Sequence, residues 1–292
     1  MNKIKLTEDR WIGENELPFI IAEIGNNHNG DLNLALKMIK IAKELGVDAV
    51  KFQVKNIEKC FSQELLDSTY TNENSFGTTY REHKQALEFS EEQLKQIYDY
   101  ARKLDIVCFS TPFDVDSVDL LEQIGNPIYK ISSFHVTDLP LIERVCKTKK
   151  PILLSTGMST IDEIDKAVNL IRKYTDQYSI NHCVSSYPTV DEDINLNVIK
   201  TLQDRYKCPI GYSGHERGIA ICVSVVVLGV STIERHFTLD RTMKGPDHAL
   251  SLAPPGMNVL IKRSKTLFDA RGKEEKFVLE SELKARKKFR GY

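Results

Sequence analysis

The run PILLSTGMSTIDEIDKAVNLIRKYTDQYSINHCVSSYP, residues 151–188, holds one complete unit of the pattern that decides the fold. It begins with a short apolar stretch, PILLSTG (151–157), and ends with another, INHCVSSYP (180–188). Both have the length of a strand, start apolar and finish in hydroxyl groups. Between them, STIDEIDKAVNLIRKY opens on Ser159 and Thr160 followed by acids, the start that satisfies the free backbone donors of a helix. The unit reads strand, helix, strand.

The same alternation extends in both directions. Further strand candidates are FIIAEIG (19–25), AVKFQV (49–54), IVCFSTP (106–112), PIYKISS (127–133), PIGYSGH (209–215) and TIERHFT (232–238). The segments LNLALKMIKIAKEL and SEEQLKQIYDYARKL between them are amphipathic, the second opening on a serine cap followed by acids. Eight near-continuous apolar strands alternating with helices predict a parallel sheet, and eight units in one chain predict a closed (β/α)8 TIM barrel forming a single α/β domain over residues 1–292. An open doubly wound sheet is the alternative. Its first loop would carry a glycine fingerprint, whereas GNNHNG (25–30) lacks that spacing. Residues 55–89 are too long for an ordinary connection and follow the second strand. They are expected over the barrel mouth as a lid or substrate loop, or else as a surface insertion. Residues 270–292 read as a C-terminal tail whose basic cluster, KARKKFR (284–290), is expected as a solvated terminal helix or fray, with a phosphate-binding patch as the alternative.

Bulk properties exclude several function classes. A net charge of −1 over 292 residues leaves no field that would favour nucleic acid. The six cysteines (60, 108, 146, 183, 208, 222) show no CxxC spacing and lie mostly in apolar segments, as free thiols in a reducing compartment do. MNKIKLTEDRW at the start has no apolar signal region, and the longest apolar run, IAICVSVVVLGVSTI from Ile219, is too short to span a membrane. A cytoplasmic protein that binds neither nucleic acid nor membrane is expected.

The polar residues gather at one end of each strand, where the loops of a barrel meet and its chemistry takes place. Lys51 and Lys130 with the hydroxyls of Thr111, Ser133, Ser155 and Ser213 suit a phosphate or carboxylate held from several sides. His215 and His236 end adjacent strands, so their imidazoles are expected to share a divalent ion such as Mn2+, with Mg2+ or Co2+ as alternatives. In that arrangement Glu234 and Arg235 serve as inner supports, and Asp247 faces the ion from the following loop. Each polar strand end taken singly is also what a turn or helix cap requires. Eight together are harder to assign to capping.

The ordered series AEIGNNHNGD, VKFQ, FSTPFD, YKISS, LLSTGMST, SSYPT, GYSGH, IERHFT and KGPDHALSL resembles the sialic acid (N-acetylneuraminate) synthase family over about Pro18 to Pro254. The resemblance implies a barrel enzyme that condenses phosphoenolpyruvate with an N-acetylated hexosamine-type aldose. In that reaction C3 of the enolpyruvate attacks the open-chain aldehyde, water adds at C2, and phosphate leaves by C–O cleavage to give a 2-keto-3-deoxy acid. Carried over position by position, Lys51, Thr111, Lys130, Ser133, Ser155 and Ser213 match enolpyruvate-binding residues. His215 and His236 match metal ligands. Glu23, Gln53, Tyr187 and Asp247 match positions that hold the sugar, with Glu23 or Asp247 able to move a proton. A homodimer is implied as well.

Three departures fall on the acceptor side. His135 stands where the family usually has a glutamate, Ser185 where it has an asparagine, and the C-terminal antifreeze-like domain of typical members does not appear. The implied reading is a retained reaction with an acceptor other than N-acetylmannosamine. Two competing readings are a Schiff-base aldolase acting through Lys51 or Lys130, with structural histidines, and a non-catalytic sugar-phosphate-binding barrel.

Overall fold

A computed structural model describes residues 3–292. A small hairpin, β1 (Ile4–Lys5) and β2 (Trp11–Ile12), precedes eight barrel strands. These are β3 (Phe19–Gly25), β4 (Ala49–Val54), β5 (Val107–Pro112), β6 (Tyr129–Ile131), β7 (Ile152–Ser155), β8 (Tyr178–Cys183), β9 (Ile210–Gly214) and β10 (Thr232–His236). They run parallel in the order β10-β3-β4-β5-β6-β7-β8-β9, and pairing of β9 with β10 closes the barrel. Every strand foreseen in the sequence is present, most of them shortened by one to five residues at an end, while the one expected from Ile180 starts two residues earlier, at Tyr178.

Around the barrel lie α1 (Leu32–Leu45), then α2 (Ile57–Cys60), α3 (Gln63–Leu66) and α4 (Tyr80–Gln85) within the long connection. They are followed by α5 (Glu91–Lys103), α6 (Val115–Ile124), α7 (Leu139–Cys146), α8 (Ile161–Arg172) and α9 (Asn197–Tyr206). The last three are α10 (Ala220–Ser224), α11 (Pro254–Arg271) and α12 (Glu280–Arg290). The predicted caps form. Ser90 and Thr160 each accept from the backbone N–H three residues on, and Gln93 and Glu163 return the bond to the cap backbone. The apolar run from Ile219 folds as α10 and a 3-10 turn, stopped at Gly229 in the left-handed region (φ 76°), a conformation that costs glycine nothing. Among the described residues no helix is long and apolar enough to cross a membrane. Helix α12 is exposed along its length, and all six cysteines are free.

Alternation along the strands separates two cores. On β4, Val50, Phe52 and Val54 face the helices and join Ile97, Val118 and Ile142 in the outer core. Ala49, one step out of phase, points into the barrel, where Phe19, Ile21, Phe109, Ile128 and Leu153 fill the N-terminal end. Ile4, Leu6 and Ile12 of the hairpin close that end from below. The N-terminal end of the barrel interior is therefore apolar. One residue pair further along the same strands, the inward positions become Glu23, Lys51, Ser155, Ser213 and Glu234. The inward positions thus carry their charged groups toward the C-terminal mouth.

Residues 55–89 are folded, not loose. Phe61, Tyr70, Tyr80 and His83 pack edge to face or tilted, a Thr79–Glu82 capping box starts α4, and Asn74 accepts from the Gly245 N–H in the loop after β10. This insertion contributes Lys55, Cys60, Phe61, Tyr80 and Lys84 to the wall of the cavity at the mouth.

Candidate active site

A cavity of about 510 Å³ opens at the C-terminal ends of the strands, within the range that holds small molecules. Glu23, Lys51, Gln53, Thr111, Lys130, Ser133, His135, Ser155, Tyr187, Ser213, His215, His236 and Asp247 all line it. They come from every barrel strand or the loop that follows it. Ser185 does not line it. Its Oγ is buried beside Gly157, where an added Cβ would stand 2.2 Å from it and 2.9 Å from Ser133 Oγ. The Gly157 N–H donates to Ser133 Oγ at 2.9 Å. A glycine is needed there, and the close approach it allows leaves Ser185 in the wall behind Ser133.

Four buried charges form the floor of the cavity. Lys51 Nζ lies 2.8 Å from Glu23 Oε2 and 3.8 Å from Glu234 Oε1, and it donates to Thr111 Oγ1 at 2.9 Å. Lys130 Nζ donates to Glu234 Oε2 at 2.7 Å, and Ser213 Oγ to Glu234 Oε1 at 3.3 Å. Gln53 Nε2 donates to Glu23 Oε1 at 2.9 Å. Burial works against charge on Glu234, but Lys130 and then Lys51 outweigh it and hold the carboxyl down at about 2. Burial likewise opposes charge on Lys51, yet Glu23 and Glu234 keep its ammonium above the ordinary lysine value. Both lysines are 3% exposed.

Glu234 and Arg235 do not have the roles expected of them. Glu234 supports the two lysines and not His236. Arg235 follows the strand's alternation to the opposite face, where its guanidinium donates to Glu216 Oε1 at 2.6 Å and to the Gly218 carbonyl at 2.9 Å. Tyr212 Oη donates to the other Glu216 oxygen at 2.9 Å. Arg235 and Glu216 adjoin His236 and His215 in sequence, so their ion pair fastens the two strand ends from outside.

His215 and His236 have ring centroids 5.6 Å apart, with Tyr187 stacked 4.1 Å from His215. The Val184 carbonyl accepts from His215 Nδ1 at 2.8 Å, which leaves Nε2 with the lone pair in the neutral ring. Burial lowers the His236 pKa, partly opposed by Asp247 and Glu23, so its ring stays neutral, and its buried Nδ1 has no partner among the described residues. Burial works against charge on His215, but Cys183, the Val184 carbonyl and Glu234 outweigh it and raise its pKa. Two imidazoles on one cavity wall, one with an unpartnered buried nitrogen among the described residues, have the ring donors of a first-row divalent ion's ligand set. Among the described residues no third histidine, cysteine or carboxylate converges with them. An ion held here would take its remaining ligands from substrate or water.

Reading the sequence missed the pairing of Glu234 with Lys130, which joins residues 104 apart. It also missed Cys183, Ser132, Phe113 and the insertion side chains in the wall. Cys183 could have been found by alternation, since it lies in register with Ser213 on the next strand. His135 is in the wall but half committed. Its Nδ1 lies 2.8 Å from Ser132 Oγ, and its ring meets Phe113 edge on at 5.0 Å.

A match to the NeuB family covers residues 38–276. The chain is 38% identical over 287 residues to N-acetylneuraminate-9-phosphate synthase of Homo sapiens, covering 98% of this chain and 80% of that protein. It is 40% identical over 269 residues to N,N'-diacetyllegionaminic acid synthase of Campylobacter jejuni, covering 91% and 80% respectively. The crystal structure of N-acetylneuraminic acid synthetase from Leptospira borgpetersenii, in complex with citrate, superposes with a TM-score of 0.88 at 33% identity, covering 100% of this chain and 98% of that one.

Proposed function

The chain belongs to the NeuB family, and from that premise we infer that it condenses phosphoenolpyruvate with an aldose to a 2-keto-3-deoxy sugar acid of the sialic acid type, releasing phosphate. The observation that carries the reading is the buried Glu23–Lys51–Glu234–Lys130 network set beside two histidines at one end of a closed barrel. Lys51 and Lys130, with Thr111, Ser155 and Ser213, hold the phosphate and carboxylate of the enolpyruvate. The buried Ser155 Oγ has no partner among the described residues and is free to donate to it.

The two glutamates cancel the two lysines, so an anion bound there calls for further positive charge. This supports a divalent ion on His215 and His236. Mn2+, Mg2+ or Co2+ in that place would polarise the aldehyde and acidify the attacking water. The protein's own part is positional and protolytic. C3 of the enolpyruvate adds to the aldehyde carbon, whose oxygen gains a proton. Water adds to C2 and gives up one proton; as the bond from C2 to the bridging oxygen breaks, the C2 hydroxyl becomes the keto group and its proton goes to the departing phosphate. Glu23 is engaged by Lys51 and Gln53, whereas the Asp247 carboxylate lines the cavity with no hydrogen bond among the described residues. Asp247 is thus the better placed to carry the proton between these oxygens, and Glu23 to orient the acceptor with Gln53 and Tyr187.

A Schiff-base mechanism requires a neutral lysine. Lys51 is instead held cationic by two carboxylates, and Lys130 is ion-paired at 2.7 Å. The homodimer belongs to this reading on the strength of the family alone, and the cytoplasmic setting on that of the six free cysteines; a single monomeric species in light scattering would remove the former. The deciding assay follows phosphate release from phosphoenolpyruvate with a panel of aldoses, with and without chelator. Acceptor-dependent release that chelator abolishes and metal restores is expected. Ligand binding without release would leave the non-catalytic barrel, and borohydride trapping of an imine on either lysine would establish the aldolase.

The acceptor itself is not set by the family. Among the relatives, one is named for a 9-phosphate product and another for a diacetylated product without one.

A further inference from the structure

The insertion brings two lysines to the cavity that the inner network does not use, Lys55 and Lys84. Lys55 is paired with Glu88 at 2.7 Å and lies 5.0 Å from the Phe113 ring centroid. Lys84 lies on α4, and its ammonium has no hydrogen bond or ion pair among the described residues. Its ammonium stands over two rings, 5.0 Å from the Tyr80 centroid and 5.8 Å from that of Phe61. Burial, followed by the charge of Lys55, pushes the Lys84 pKa down to about 8, with Asp247 and Glu88 only partly opposing. Lys244 joins the same field, since it acts on His83 of α4 together with Lys84 and Lys55. Gathering cations with too few carboxylates between them is costly, and the cost disappears when an anion binds among them.

The place of this cluster says which anion. Lys51 and Lys130 are at the strand ends, beneath; Lys84 is on the layer that covers them. An aldose with its aldehyde carbon at the two histidines directs its opposite end out of the barrel, toward the insertion. We propose that Lys84, with Lys55 beside it, is an anion subsite for the acceptor, taking a phosphate ester or equivalent acidic group on the carbon remote from the aldehyde. The inference rests on reading the barrel as an aldose-condensing enzyme. It assigns that enzyme a phosphorylated acceptor, and therefore a preceding step in which a kinase-type reaction supplies the ester.

The test uses N-acetylmannosamine, its 6-phosphate and inorganic phosphate as calorimetric probes on the full chain, in wild type, Lys84→Met and Lys84→Arg. Steady-state KM values are measured for each acceptor and for phosphoenolpyruvate. The 6-phosphate should bind ten- to a hundred-fold more tightly than the neutral sugar in wild type, the span of one charged hydrogen bond. The preference should collapse to within about twofold in Lys84→Met and largely return in Lys84→Arg. Equal binding of both sugars, or a preference that survives Lys84→Met, overturns the subsite. If inorganic phosphate binds as tightly as the sugar phosphate, or if only the KM for phosphoenolpyruvate rises, the lysine serves free phosphate or the donor, and the acceptor assignment falls. Lys84-dependent binding of the sugar phosphate without any phosphate release would leave the subsite standing and refute the condensing reaction.

Discussion

Arg235 is the largest side chain that the fold removes almost wholly from water, at 1% exposure, and its partner Glu216 is at 0%. Such a pair adds little over well-packed apolar residues, but removing one member strands the other as a buried charge, at about 3–5 kcal/mol. Arg235→Met should lose about that much stability in denaturant unfolding. The double variant Arg235→Met, Glu216→Leu should regain a large part of it, and equal losses in single and double variants would show that the pair is not the source. His135 leads to a second prediction at this scale. Burial lowers its pKa against the pull of Asp138 and Asp114, so the ring is neutral, and Ser132 occupies Nδ1. One nitrogen remains for a sugar, where a carboxylate would accept two hydroxyls. Wild type should therefore not favour N-acetylmannosamine over other aldoses, including its own phosphate ester. His135→Glu should move relative KM values toward it by about one to two decades. A wild-type preference left unchanged by the substitution contradicts this.

At the scale of elements, strands were legible wherever an apolar run ended in polar residues, and helices wherever a hydroxyl preceded an acid. Both signals are local. The hairpin of β1 and β2 was not, because two-residue strands are too short to show a period. The inner fold of residues 55–89 depends on contacts such as Tyr70 with His83 that no window of sequence displays. Candidate site residues were legible because parallel strands bring their C-terminal ends to one rim. What joins them was less so: the pairing of Glu234 with Lys130 crosses the barrel, and Arg235 needed the alternation rule applied to a strand of five residues. The hairpin leads to a prediction. Ile12 is 0% exposed and seals the apolar floor with Ile4 and Leu6. Ile12→Ala should cost about 2–5 kcal/mol of stability. The KM for phosphoenolpyruvate should stay within about twofold below the melting transition, because the lysines are set higher on the strands. A large rise in KM in a variant still folded by circular dichroism would show that floor and site are coupled.

Seen as one molecule, the protein carries a net charge of only −1 yet buries much of its histidine. Four of its seven histidines lie outside the cavity, His28, His83, His182 and His248, all buried at 5% exposure or less. Burial is the first cause lowering the pKa of each, to about 3 for His28 and about 4 for His83. The unfolded chain would protonate the same groups near pH 6.5. Below that value the unfolded state gains protons that the folded state refuses, so stability is full above about pH 6.5 and is lost as pH falls toward the folded values. Each group contributes up to about 1.4 kcal/mol per pH unit. His28 and His83 together would give up about 4 kcal/mol by pH 5, a large share of the 5–15 kcal/mol that holds a typical domain, and His182 and His248 act in the same direction. The depressed Glu234 adds its own loss only below about pH 4.5, as the pH falls toward its folded value of about 2. Urea midpoints at pH 7.5 and pH 5 should therefore differ strongly. His28→Phe gives the sharper measurement. It removes the acceptor of the Gly30 N–H at 3.0 Å but keeps a ring against Phe89, so the variant should start less stable at pH 7.5. Its stability should then fall less steeply with acid, by about one proton's worth of slope. An unchanged slope in His28→Phe, or equal wild-type midpoints at the two pH values, would show that the buried histidines do not set the acid limit.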